Sequence, residues 1–171
     1  MGIYRVVLAL FVGGAIAAPV ALKHSGLVLN LSKSVPVGLY RRVPAASAAY
    51  IGFCLPAATV QEAVRAGLEI GRGECFGNVA PVLKPYIHAS TQHPLLYSNR
   101  GFTFDGALLP NTAPKARSKQ GTPLVHFPFG AYTDGVWAVS DFSRDSFDSR
   151  YFGPVESRAI LFHATPVLTW R

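Results

Sequence analysis

The feature that most constrains this chain is an uncharged apolar run, Val6 to Leu22, bounded by Arg5 in front and Lys23-His24 behind. A bilayer-spanning helix needs about 20 apolar residues, so this run crosses only with help from its flanks. The positive charge ahead of it favours a cytoplasmic N-terminus. Ala15-Ile16-Ala17 also fits the small-residue pattern of a cleavable leader. A buried core helix is disfavoured because the run has no polar face. Retained anchor and cleaved leader both export the remainder of the chain. The expected organisation is an anchor or signal segment over residues 1–26 and one periplasmic domain over residues 27–171, held at the inner membrane or free in the periplasm.

An exported remainder of this length has room for one ordinary domain. With 16 Gly and 13 Pro the chain turns often, which favours a mainly β fold over a helix bundle. Strands are expected over Leu27–Leu31, Val37–Val43, Ala49–Leu55, Val79–His88 (interrupted by Pro81 and Pro85), Leu95–Tyr97, Phe102–Phe104, Leu124–Phe127, Val136–Val139, Ala159–Ala164 and Val167–Trp170. Thr59 followed by Glu62 has the capping-box pattern, predicting one short helix from Val60 to Glu69, ended by Gly71 and Gly73. At 50% hydrophobic and 15% charged residues, disorder is excluded. The net charge of +7 is scattered and not interleaved with aromatics, which fits a basic face near anionic membrane lipid and speaks against nucleic acid as a partner.

Cys54 and Cys75 fit the export reading, since an oxidising periplasm lets them pair; the alternative is two small buried thiols. Two cysteines make no metal site, and His88, His93 and His126 lack a ligand-like spacing, so no metal is expected.

Two segments concentrate chemistry. Residues 30 to 40, Asn-Leu-Ser-Lys-Ser-Val-Pro-Val-Gly-Leu-Tyr, set the hydroxyls of Ser32 and Ser34 just beyond the apolar run, where a nucleophile reaches a peptide bond emerging from a membrane. If the segment is extended, Ser32 and Ser34 share a face and Lys33 points away. Residues 140 to 155 gather Asp141, Asp145, Asp148, Arg144 and Arg150 among serines and aromatics. A polar turn explains part of that composition. Asp148 and Arg150 beside Tyr151-Phe152 also suit a desolvated, bidentate ion pair that stiffens a site.

Ser32-x-Ser34-x-Pro36-x-Gly38-Leu39-Tyr40, then a lysine after Leu83, then Ser146-x-Asp148-Ser149-Arg150-Tyr151-Phe152-Gly153, resembles the type I signal peptidase superfamily (peptidase family S26). The short first motif is similar to that of its conjugative-transfer branch, the TraF family. The resemblance implies a signal-peptidase-like β domain and a Ser/Lys dyad: Ser34 as nucleophile and Lys84 as a base kept neutral by apolar surroundings. It implies that Ser32 and the Ser34 amide form the oxyanion hole, that Ser146 orients Lys84, and that Asp148 and Arg150 support the site. Asp141, Arg144 and Asp145 are expected to brace the same loop. No cofactor is implied. The implied substrate is a pilin precursor or another signal-peptide-bearing protein of a conjugative or type IV secretion system, cleaved or cyclised. A general leader peptidase is the alternative enzyme. Two rivals stand beside it: a Ser34/His88/Asp148 triad, and an anchored, non-catalytic β domain of an envelope secretion complex.

Overall fold

The longest strand among the described residues, Ile160–Trp170 (β11), organises the molecule. In the computed structural model, which describes residues 25–68 and 70–170, β11 lies at the centre of a six-stranded antiparallel sheet. The order is β1 (Leu27–Asn30), β2 (Val37–Arg42), β11, β3 (Tyr50–Phe53), β5 (Val82–His88) and β10 (Val136–Ala138). A four-stranded sheet carries β8 (Ala107–Leu108), β7 (Gly101–Phe104), β6 (Leu95–Ser98) and β9 (Gly130–Tyr132), in that order. Buried Ala89, Leu95, Tyr97, Phe102, Trp137 and Val139 join the two sheets. The mainly β expectation therefore holds. The Val6–Leu22 run lies outside the described residues, and among those described no helix is long and apolar enough to cross a membrane.

Proline explains where strands differ from expectation. The two expected strands 159–164 and 167–170 are one strand, bulged between Pro166 and Leu168. A residue without an N–H is tolerated at such a bulge. Pro85 sits inside β5 instead of interrupting it. Its register partner is Tyr50, the first residue of β3, so the missing donor falls at the end of that ladder, while its carbonyl accepts from Val139 N–H at 3.1 Å. Residues 79–81 are not part of β5, and Leu124–Phe127 forms no strand. The short strands β4 (Arg72–Cys75), β8 and β9 were not anticipated.

The helix is displaced from its expected place. It runs Ala57–Arg65 (α1), begins after Pro56 and turns out of helical geometry by Gly67. Thr59 is thus an interior residue and not a cap. Pro56 just before the first turn, where no N–H is needed, prevails over the Thr59/Glu62 pattern. A second helical turn, Ser149–Phe152 (α2), starts from Asp148, whose carboxylate accepts from Arg150 N–H at 3.1 Å.

A glycine holds β2 against β11. A Cβ on Gly38 would stand 2.2 Å from the Leu168 carbonyl oxygen, and the residue has φ +153. The first motif thus carries a packing requirement as well as chemistry. Cys54 and Cys75 are joined in a disulfide that ties the residue after β3 to β4.

Candidate active site

Ser32 and Ser34 lie in the loop between β1 and β2, whose hairpin register runs from Leu27 opposite Arg41 to Asn30 opposite Gly38. This loop is turned, not extended as expected. Side-chain turns impose the shape. Asn30 Oδ1 accepts from Ser32 N–H at 3.2 Å, and Asn30 Nδ2 donates to the carbonyls of Ser32 (2.9 Å) and Pro36 (3.1 Å). Ser32 Oγ accepts from Ser34 N–H at 3.3 Å. The two hydroxyls still meet: Ser32 Oγ and Ser34 Oγ share a hydrogen bond of 2.8 Å. Behind them Val35 is fully buried, and Tyr40 Oη donates to the Pro36 carbonyl at 2.6 Å. Lys33 is exposed.

Lys84 comes from the middle of β5, opposite Ile51 of β3. Side chains alternate across a strand, so Lys84 shares a face with Val82 and Tyr86 and with their partners Phe53 and Ala138. That row is otherwise apolar apart from the tyrosine hydroxyl. Lys84 is 1% exposed. Burial is the main reason its ammonium is lowered from 10.5 to about 8; the Asp148 carboxylate pulls it up and Arg150 pushes it down. Its Nζ donates to Ser146 Oγ at 2.8 Å. A lysine of this kind is neutral at mildly alkaline pH, which a proton acceptor requires.

The distant segment that supplies Ser146 also carries a buried ion pair. Asp148 and Arg150 are fully buried and form the expected bidentate pair, Nε to Oδ1 at 2.8 Å and Nη2 to Oδ2 at 2.9 Å. Buried charges survive only when their remaining hydrogen-bonding capacity is met. Arg150 meets it by donating to the carbonyls of Ser146 (2.8 Å) and Asn111 (2.9 Å), while Asp148 Oδ2 also accepts from Ser140 N–H at 3.0 Å. Asp145 is held by Lys115 at 2.5 Å and Lys119 at 2.9 Å. Asp141 and Arg144 join through their carbonyls, which accept from Asn111 and Arg150. His88 is exposed at the end of β5, and among the described residues the Asp148 carboxylate bonds Ser140 and Arg150, not a histidine. The triad arrangement is not assembled.

No family model and no solved structure matches the chain. Curated relatives do. It is 36% identical over 151 residues to a plasmid transfer protein TraF of Escherichia coli, covering 85% of this chain and 84% of the relative. A second plasmid transfer protein TraF from Escherichia coli is 34% identical, with 92% of each chain covered. The chain belongs to the TraF family. A conjugal transfer protein TraF of Agrobacterium tumefaciens, at 30% identity, covers 95% of this chain. The matches thus reach well beyond the two short motifs that carry the resemblance to TraF.

Sequence patterns assign no role to three residues of this TraF-family site. Asn30 shapes the serine loop, and Asn111 carries main-chain and side-chain bonds to the distant segment. Ser140, fully buried, donates its hydroxyl to the Ser34 carbonyl. An asparagine just before Ser-x-Ser, at a strand end, is the available signal for the first. The other two depend on approaches across distant parts of the chain that no local pattern reveals.

Proposed function

We propose that this protein is a serine endopeptidase acting in conjugative transfer, with Ser34 as nucleophile and Lys84 as base, and that it belongs to the wider type I signal peptidase superfamily. The observation that carries the reading is one continuous chain of contacts. Ser34 C=O accepts from Ser140, whose N–H bonds Asp148; Asp148 pairs with Arg150, which bonds the Ser146 carbonyl; and Ser146 Oγ accepts from Lys84. A surface lysine beside a serine has no need of such a frame.

In the reaction, neutral Lys84 Nζ takes the Ser34 Oγ proton as Oγ attacks the scissile carbonyl carbon. The oxyanion is stabilised by the Ser34 N–H and the Ser32 hydroxyl, both of which turn from their mutual bonding to the substrate oxygen. Lys84 returns the proton to the leaving amine as the C–N bond breaks. The resulting Ser34 ester is opened by water or by the substrate's own N-terminal amine, giving a linear or a cyclic product.

The substrate class is a pilin precursor or another exported protein, and the domain works on the periplasmic side of the inner membrane. The Cys54–Cys75 disulfide supports an oxidising compartment. Mass spectrometry of the pilin from cells carrying wild-type or Ser34→Ala protein tests the reading. Maturation lost in the variant supports it, with a product lighter by one water than the linear peptide marking cyclisation. Unchanged maturation by folded Ser34→Ala protein sinks it.

A further inference from the structure

The serine loop is held from its own hairpin by Asn30 and Tyr40, and by Val35 in the core. Among the described residues, the hydrogen bond that reaches it from the 140–153 segment comes from Ser140. Ser140 is fully buried and is bonded twice: its hydroxyl donates to the Ser34 carbonyl, and its N–H donates to Asp148 Oδ2 at 3.0 Å. Asp148 is in turn immobilised by Arg150. The Ser34 peptide plane is thereby tied to the same buried carboxylate whose charge acts on Lys84.

We infer that Ser140 is a positioning residue for Ser34: its hydroxyl fixes the peptide plane after Ser34, and so the direction of the Ser34 hydroxyl relative to Lys84. The inference rests on the peptidase reading of the site. Ser34 sits in a partly exposed turn, not in a strand ladder, so its orientation is not set by strand pairing. A buried donor on the following carbonyl supplies the missing restraint, and removing it leaves that carbonyl unpaired. Small errors in the placement of reacting groups are costly in rate. The hydrogen bond of Lys84 goes to Ser146, not to Ser140.

The test compares wild type with Ser140→Ala, which deletes one hydroxyl and keeps the main-chain bond to Asp148. Turnover of a precursor peptide is expected to fall by at least ~10-fold in kcat, with KM changed less than about twofold. The midpoint of the pH–rate profile stays in place because the Lys84–Ser146 bond and the Asp148–Arg150 pair, whose charges act on Lys84, are retained. Amide hydrogen exchange over residues 31–36 rises in Ser140→Ala, and rises equally when the substitution is made in the Ser34→Ala background. That arm needs no turnover, so it tests the tether even if the peptidase reading fails through an active Ser34→Ala protein. Unchanged kcat, unchanged exchange, or a fall in kcat accompanied by a displaced pH midpoint each overturns the inference.

Discussion

At the scale of single residues, the decisive fact is a lysine in an apolar row. Lys84 is lowered from 10.5 to about 8 chiefly by burial. If Lys84 is the base, it works only when neutral, so the rate of processing is expected to rise with pH to a plateau with a midpoint near 8. The same burial makes a stability prediction. Between about 8 and 10.5 the unfolded chain binds the Lys84 proton more tightly than the folded one, so this group's contribution to stability grows as pH rises through that window. Lys84→Met, an apolar side chain of similar length, removes that growth, of order 3 kcal/mol, and abolishes processing. Thermal melts across the window check it; a wild-type slope retained in the variant contradicts it. Asp148 behaves differently. Asp148→Asn breaks a buried bidentate pair and leaves Arg150 uncompensated, a loss of about 3–5 kcal/mol readable in urea melts. The Asp148–Arg150 pair was legible because Asp-x-Arg beside bulky aromatics suits a buried ion pair, whereas Lys84 stood out only through the order and spacing of the motifs, since lysine among apolar neighbours is also common at a surface. Ser140 was not legible, because a serine in a segment rich in serines carries no such mark.

At the scale of elements, the site is two loops pinned onto one sheet. The β1–β2 hairpin carries the serines, β5 carries the lysine, and the segment entering α2 carries the ion pair. Two features hold this arrangement. Gly38 lets β2 approach β11, where any Cβ meets the Leu168 carbonyl oxygen at 2.2 Å. Gly38→Ala must therefore part the strands or distort the hairpin, costing about 2 kcal/mol or more and lowering processing through the displaced serine loop. Denaturant melts alongside turnover measure both. The second feature, the Cys54–Cys75 bridge, ties the residue after β3 to β4; its removal by Cys54→Ala with Cys75→Ala is expected to cost ~3 kcal/mol while kcat is retained. Most strands were legible from their apolar runs and bounding turn residues, but the short β4, β8 and β9 were not, and Leu124–Phe127 forms none. The extended reading of residues 32–34 failed because Asn30 and Ser32 offer the backbone side-chain bonds that compete with a ladder. Helix placement failed for a related reason, a proline start outweighing a capping pattern.

At the scale of the whole molecule, a member of the TraF family carries a site whose parts are far apart in the chain and interlocked in space. Ser34 and Ser140 are separated by 106 positions and bonded directly, and Lys84 and Ser146 by 62. Order and spacing of the motifs made the Ser34/Lys84 proposal readable through resemblance, while the bonds that join Ser34 to Ser140 and Lys84 to Ser146 appear only in the fold. If Ser34 is the nucleophile, it becomes covalently acylated during turnover. Acid quenching of wild-type protein with a precursor peptide, followed by mass spectrometry of the digested protein, tests this most directly. The expected result is a substrate-derived acyl group on the peptide containing Ser34, absent in Ser34→Ala and Lys84→Met. Processing of the precursor at an undiminished rate by Ser34→Ala, with no acyl group on that peptide in wild type, would contradict it.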